Sequence, residues 1–196
     1  MNHTKIVRMA TLAILTAIVV VLQLMGSFIH IGPVSISLTL IPIVVGAAML
    51  GTSAGAFLGF VFGLVVTIAC VNGTDMGGNV MFLANPFLTV FLCLFKGAAA
   101  GAVAGLIYKV LSAKNKLAAV LVAAIAAPVV NTGIFCAALA LFYQPTLVAW
   151  ANGTDLLVYI FVGLVGVNFI VETLINIVCS PIILRIIGAV KTKLAK

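Results

Sequence analysis

Long apolar runs broken by short polar or turn-forming stretches are the dominant pattern along this chain. The breaks fall at Ser27–Val34, Gly51–Ser53, Asn72–Asn85, Ser112–Lys116 and Gln144–Asp155. Between them the pattern predicts helices near residues 5–26, 35–50, 53–71, 86–111, 117–143 and 156–189. A helix of about 20 apolar residues crosses a bilayer, so each run is a candidate span. Period-2 alternation is absent, which favours helices over a barrel as the way of pairing every backbone group inside lipid. The second break is only a tight turn between two short helices, and a tilted or partly re-entrant course for one of helices two and three stays open. The fold expected is one all-α membrane domain over residues 1–196, a bundle of six transmembrane helices.

Composition strengthens that picture. Of 196 residues 65% are hydrophobic and 7% charged, and the mean hydropathy is +1.41. A soluble domain carries roughly 25% charged residues, so this chain cannot cover a water-facing surface. The four cysteines, Cys70, Cys93, Cys136 and Cys179, sit within or at the ends of apolar runs. They read as small buried residues rather than a disulfide or metal framework. The first apolar stretch is too long for a cleavable signal peptide and lacks a convincing cleavage site.

Charge then orients the bundle. The net charge of +7 does not form a basic face for nucleic acid. Lys5 and Arg8 open the chain, Lys109, Lys114 and Lys116 flank the fourth break, and Arg185, Lys191, Lys193 and Lys196 close it. With six spans and a cytoplasmic N-terminus, every Lys and Arg except Lys96 lies at a cytoplasmic end, and the C-terminus is cytoplasmic too. Asp75 and Asp155 then lie in outer loops without cations, and Tyr143, Trp150 and Tyr159 gather at the outer boundary.

Glycines recur every four residues in two ladders, Gly51, Gly55, Gly59 and Gly63, then Gly97, Gly101 and Gly105. Such a ladder makes a groove along one helix face and reads as a packing seam. The tetrapeptide Asn-Gly-Thr-Asp occurs at 72–75 and again at 152–155. The copies are not equivalent under an inverted repeat. They are similar turns that start the next helix, or chance.

Ionisable groups within a span are costly and mark function by default. Lys96 and Glu172 are the two here. Lys96 precedes Lys109 by thirteen residues, Glu172 precedes Arg185 by thirteen, Asn131 follows Lys116 by fifteen and Gln23 follows Arg8 by fifteen. At 1.5 Å per residue all four stand about 20–22 Å from the cytoplasmic boundary, in one layer. Asn168, Glu172, Asn176 and Ser180 share one helix face, which is expected to look into the bundle. The simplest arrangement is an outer polar pocket holding Lys96, Asn131, Asn168 and Glu172. The outer loops carrying His30, Asn79 and Trp150 would be its lid. The competing reading has Lys96 and Glu172 neutralising each other while the asparagines only join helices. His30 has no second histidine nearby for a metal, and Trp150 also suits an interfacial anchor.

Enzyme motifs are missing: there is no Walker lysine loop, His-Glu-x-x-His or Gly-x-Ser-x-Gly, and no cofactor is implied. The three acids are too few for a two-metal carboxylate site. A transport or binding role follows, with a stand-alone exporter, a channel or a structural membrane subunit as the alternatives.

Six short helices in under 200 residues, with these polar positions, resemble the substrate-binding S component of an energy-coupling factor (ECF) vitamin transporter. Ser37 to Gly51 and Gly55 to Gly63 are similar to the second and third helices of that family. Phe95-Lys96-Gly97 through Tyr108-Lys109, Val130-Asn131-Thr132, Gly166 to Glu172 and Ser180-Pro181-Ile182 also look like their family counterparts. Ala13-Ile-Leu-Thr-Ala17 stands where the family carries Ala-x-x-x-Ala in its first helix. The resemblance implies a bacterial plasma-membrane protein that captures a vitamin. It implies docking through Ala13 and Ala17 on a transmembrane coupling subunit, driven by two ABC-type ATPase subunits. A buried lysine suits a carboxylate and asparagines suit hydroxyls and amides, which points to pantothenate, with riboflavin or another vitamin as the alternative.

Overall fold

A computed structural model describes residues 3–26, 30–31, 34–35, 39–164 and 166–194. The elements run α1 (His3–Gly26), β1 (His30–Ile31), β2 (Val34–Ser35), α2 (Leu40–Leu50), α3 (Thr52–Asn72), α4 (Met76–Ala84), α5 (Pro86–Leu111), α6 (Lys116–Phe142), α7 (Gln144–Ala151), α8 (Leu156–Val158), a π-helical turn (Tyr159–Leu164) and α9 (Gly166–Leu194). The two short strands pair antiparallel, His30 with Ser35 and Ile31 with Val34. Everything else regular among the described residues is helix.

The polar breaks act as helix caps. The Asp75 side chain accepts from Gly78 N at 3.0 Å, and Asn115 accepts from Leu117 N at 2.9 Å and Ala118 N at 3.1 Å. Asn85 closes α4 and caps α5, whose first turn carries Pro86. Each cap supplies an acceptor to N–H groups that a helix start leaves unpaired. Both Asn-Gly-Thr-Asp copies serve the same purpose. Gly73, Asn152 and Gly153 turn through left-handed backbone at φ 77°, 46° and 87°, and Asp75 and Asp155 then cap α4 and α8. They are related turns rather than coincidence.

Among the described residues, four helices are long and apolar enough to cross a bilayer, Thr4–Gly26, Thr52–Asn72, Pro86–Leu111 and Lys116–Phe142. A fifth arises if α7 and Leu156–Gly163, bent 88° to each other, count as one span. Several boundaries differ from the expected ones. The third and fifth breaks are not loops but hold α4 and α7, whose nine and eight residues reach only about 12–14 Å. The expected last helix is interrupted by the π-helical turn, which contains Gly163, and resumes as α9 at Gly166. Described α2 starts at Leu40, and its 11 residues are too short to cross lipid alone. Almost all of it is buried by protein, Leu40, Ile43, Val44, Val45, Ala47, Ala48 and Leu50 among them. A helix so enclosed has no lipid thickness to match.

The glycine ladders face each other. A Cβ on Gly55 would meet Gly101 O, one on Gly59 would meet Gly97 O, and one on Gly63 would meet Cys93 O. This antiparallel register brings α3 and α5 into backbone contact over residues 52–63 and 93–105, the closest approach that small residues permit. Around this seam, α1, α2, α6 and α9 complete the main core, with Leu15, Leu58, Phe62, Ala123 and Ile183 buried in it. A second cluster (Met81, Leu92, Leu139, Tyr143 and Leu147) joins α4, α5, α6 and α7.

Candidate functional site

The expected polar face of α9 does turn inward. Glu172 is 5% exposed, Asn176 2% and Ser180 0%. Asn176 Nδ2 donates to Ala124 O of α6 at 3.2 Å, and Ser180 Oγ donates to Asn176 O at 2.8 Å. Asn131 on α6 is buried, and its Oδ1 has no hydrogen-bond partner among the described residues. A buried amide oxygen left open is costly in a dry interior, so it is a natural acceptor for a ligand N–H or O–H.

Lys96 on α5 holds its Nζ 4.9 Å from the centre of the Phe135 ring. Phe135 is one turn beyond Asn131 on the same side of α6. The ring face stabilises the ammonium without neutralising it, so the charge stays available to an anion. The α5–α6 seam therefore brings Lys96 to within a turn of Asn131, and Glu172 is buried on the face of α9 that carries Asn176. The side chains of Asn168 and His30 lie outside the described residues, as does Lys196.

Of the residues expected in the lid, Asn79 and Trp150 are described. Asn79 lies within α4 and donates from Nδ2 to Cys70 O at 2.8 Å, tying α4 to the end of α3. Trp150 lies on α7, half-buried against the second cluster. Tyr143 is buried rather than facing the membrane boundary; its hydroxyl pairs with Thr89 Oγ1 at 2.7 Å and donates to Asn85 O at 3.2 Å. Gln23, expected in the polar layer, accepts from Thr39 Oγ1 at 2.8 Å. The Phe135 ring under Lys96 was not legible from the sequence, because an aromatic in an apolar helix carries no signal of what it faces. The four cysteines are free thiols.

On α1, Leu15, Val19 and Gln23 turn inward, while Ala13 and Ala17 are exposed on another side of the helix.

Residues 7–184 match the family described as ECF transporter, substrate-specific component. The chain belongs to that family. As a substrate-specific component it is the vitamin-binding, non-catalytic part of a transporter complex, and a multi-pass membrane protein. It is similar to the pantothenic acid transporter PanT of Lactococcus lactis subsp. cremoris, at 32% identity over 197 residues, covering 93% of this chain and 94% of that protein. No solved structure matches it.

Proposed function

We propose that this ECF substrate-specific component captures pantothenate from outside the bacterial plasma membrane. It passes the vitamin inward in complex with a transmembrane coupling subunit and two ABC-type ATPase subunits. The observation that carries the reading is the Lys96 ammonium on Phe135, a turn from the open Asn131 Oδ1. Pantothenate has a carboxylate for the first and hydroxyl and amide N–H groups for the second. The relative named for pantothenic acid supports the same ligand.

In this reading α1, α2, α3, α5, α6 and α9 are the six crossings, and α4 and α7 lie in the outer boundary. Arg8 supports the pairing of the cytoplasmic ends, since its guanidinium donates to Leu50 O at 3.0 Å. Lys96 draws in the carboxylate, Asn131 and Asn168 orient the polar arm, and Glu172 accepts from ligand donors. His30, Asn79 and Trp150 belong to segments that cover the site once filled. Ala13 and Ala17 form the docking surface.

Calorimetry on the purified chain tests this. Pantothenate is expected to bind tightly, while pantothenol, with an alcohol in place of the carboxylate, binds at least tenfold more weakly, a loss of about 1.4 kcal/mol. Equal affinity for the two would remove Lys96 from carboxylate recognition. Tight binding of riboflavin without pantothenate would replace the substrate. Ion conduction or substrate exchange by the chain alone in liposomes would favour a stand-alone channel or exporter.

A further inference from the structure

Helix α6 contains Pro128, which has no N–H to offer the carbonyl one turn earlier. That carbonyl belongs to Ala124, and it is the group to which Asn176 Nδ2 donates, at 3.2 Å. The proline thus creates an acceptor inside the bundle, and an asparagine on another helix satisfies it. Nothing in the bilayer core would otherwise do so.

We propose that Asn176 is a positioning residue for the capture site, setting the depth and rotation of α9 against α6 through the carbonyl that Pro128 leaves open. Asn176 is four residues from Glu172 on the same buried face, so the bond that fixes one fixes the direction of the other. Helices α6 and α9 run antiparallel in the proposed topology. Glu172 then lies about 6 Å from the Asn176 level toward Asn131, and Asn131 lies about 10 Å from the Ala124 level in the same direction. The apolar contacts of α9, Ile183 among them, set that register less sharply, because leucine, isoleucine and valine gain little from leaving lipid for a neighbouring helix. Ser180 Oγ, bonded to Asn176 O, supports the same turn from below. The inference rests on the proposed capture of pantothenate for its affinity readout only.

The test is a double-mutant cycle of Asn176→Leu and Pro128→Ala. Alanine at 128 restores an N–H to Ala124 O within α6, which makes the asparagine bond redundant. Pantothenate affinity is measured on all four proteins. In parallel, spin labels at the exposed positions Ala137 and Ile170, in a cysteine-free background without ligand, report the α6–α9 distance. Asn176→Leu alone is expected to weaken binding about five- to tenfold and to shift or broaden the distance distribution, in keeping with strong interhelical hydrogen bonds in membranes. In the Pro128→Ala background the same change is expected to cost less than about twofold, with the distance restored. Equal losses in both backgrounds, or an unchanged distance in Asn176→Leu, overturn the positioning role. If the wild type binds no pantothenate, the substrate reading falls, and the distance cycle still decides for or against Asn176.

Discussion

The Lys96 ammonium rests on the face of Phe135, 4.9 Å from the ring centre, joining a cation midway along α5 to the helix that carries Asn131. An ammonium so placed is sheltered but uncompensated by that contact, which suits a site that is to receive an anion. Lys96→Ala is expected to weaken pantothenate binding more than tenfold while leaving an extractable, folded protein. Phe135→Leu is expected to lose a few-fold, since a cation on a ring is worth about 0.5–1 kcal/mol at an accessible site. Titration calorimetry on both variants checks this. If single changes at Lys96 and Glu172 abolish folding and a charge-swapped pair restores normal binding, the two residues serve only to pair.

The facing glycine ladders give a stability prediction. A methyl group on Gly59 would press on Gly97 O, and neither backbone can withdraw without separating α3 from α5. Gly59→Ala is expected to destabilise the fold by about 1–3 kcal/mol, the usual cost of overfilling a packed site. Gly133→Ala is the control, because a Cβ there meets nothing within 4 Å. Thermal unfolding in detergent with and without ligand compares them. Matching melting temperatures for the two variants would mean that the ladders are not a tight seam.

Topology can be read by labelling. Asp75 and Asp155 hold helix starts, so the probes are better placed at the exposed neighbours Thr74 and Thr154, with Ala113 for the opposite face. Single cysteines at 74 and 154 in a cysteine-free background are expected to react with an impermeant thiol reagent on intact cells, and one at 113 only after lysis. Labelling of 113 in sealed cells would break the six-crossing arrangement.

Docking should separate from binding. Ala13 and Ala17 are exposed on α1, and tryptophan at either adds a bulky ring to a contact that only small residues permit. Neither residue lies near the Asn131 level, since Ala13 is five residues from Arg8 and Asn131 fifteen from Lys116. Binding by the isolated variants is expected to be normal. Vitamin uptake in cells with the coupling subunit and ATPases is expected to fall to background. Normal uptake by both variants would remove the docking role.

What the sequence by itself determined were properties that reside in one segment at a time. The main spans follow from runs of apolar residues, the cationic ends from the placement of lysine and arginine, and the inward face of α9 from the four-residue spacing of Glu172, Asn176 and Ser180. The glycine ladders were legible as seams, and the resemblance to the S components rested on the order of such pieces. What only the tertiary structure decided was which segment meets which. Helices that are apolar nearly all round carry no stripe to set their rotation, so hydropathy does not say that Gly59 faces Gly97, that Tyr143 turns inward to Thr89, or that Lys96 lies on Phe135. Helices α4 and α7 escaped for a related reason: segments of nine and eight residues are too short to register as spans, and their polar caps look like loops. The bond from Asn176 to Ala124 depends on both causes at once. Pro128 opens a carbonyl that the sequence can locate, but only the packing of α9 on α6 selects the side chain that fills it.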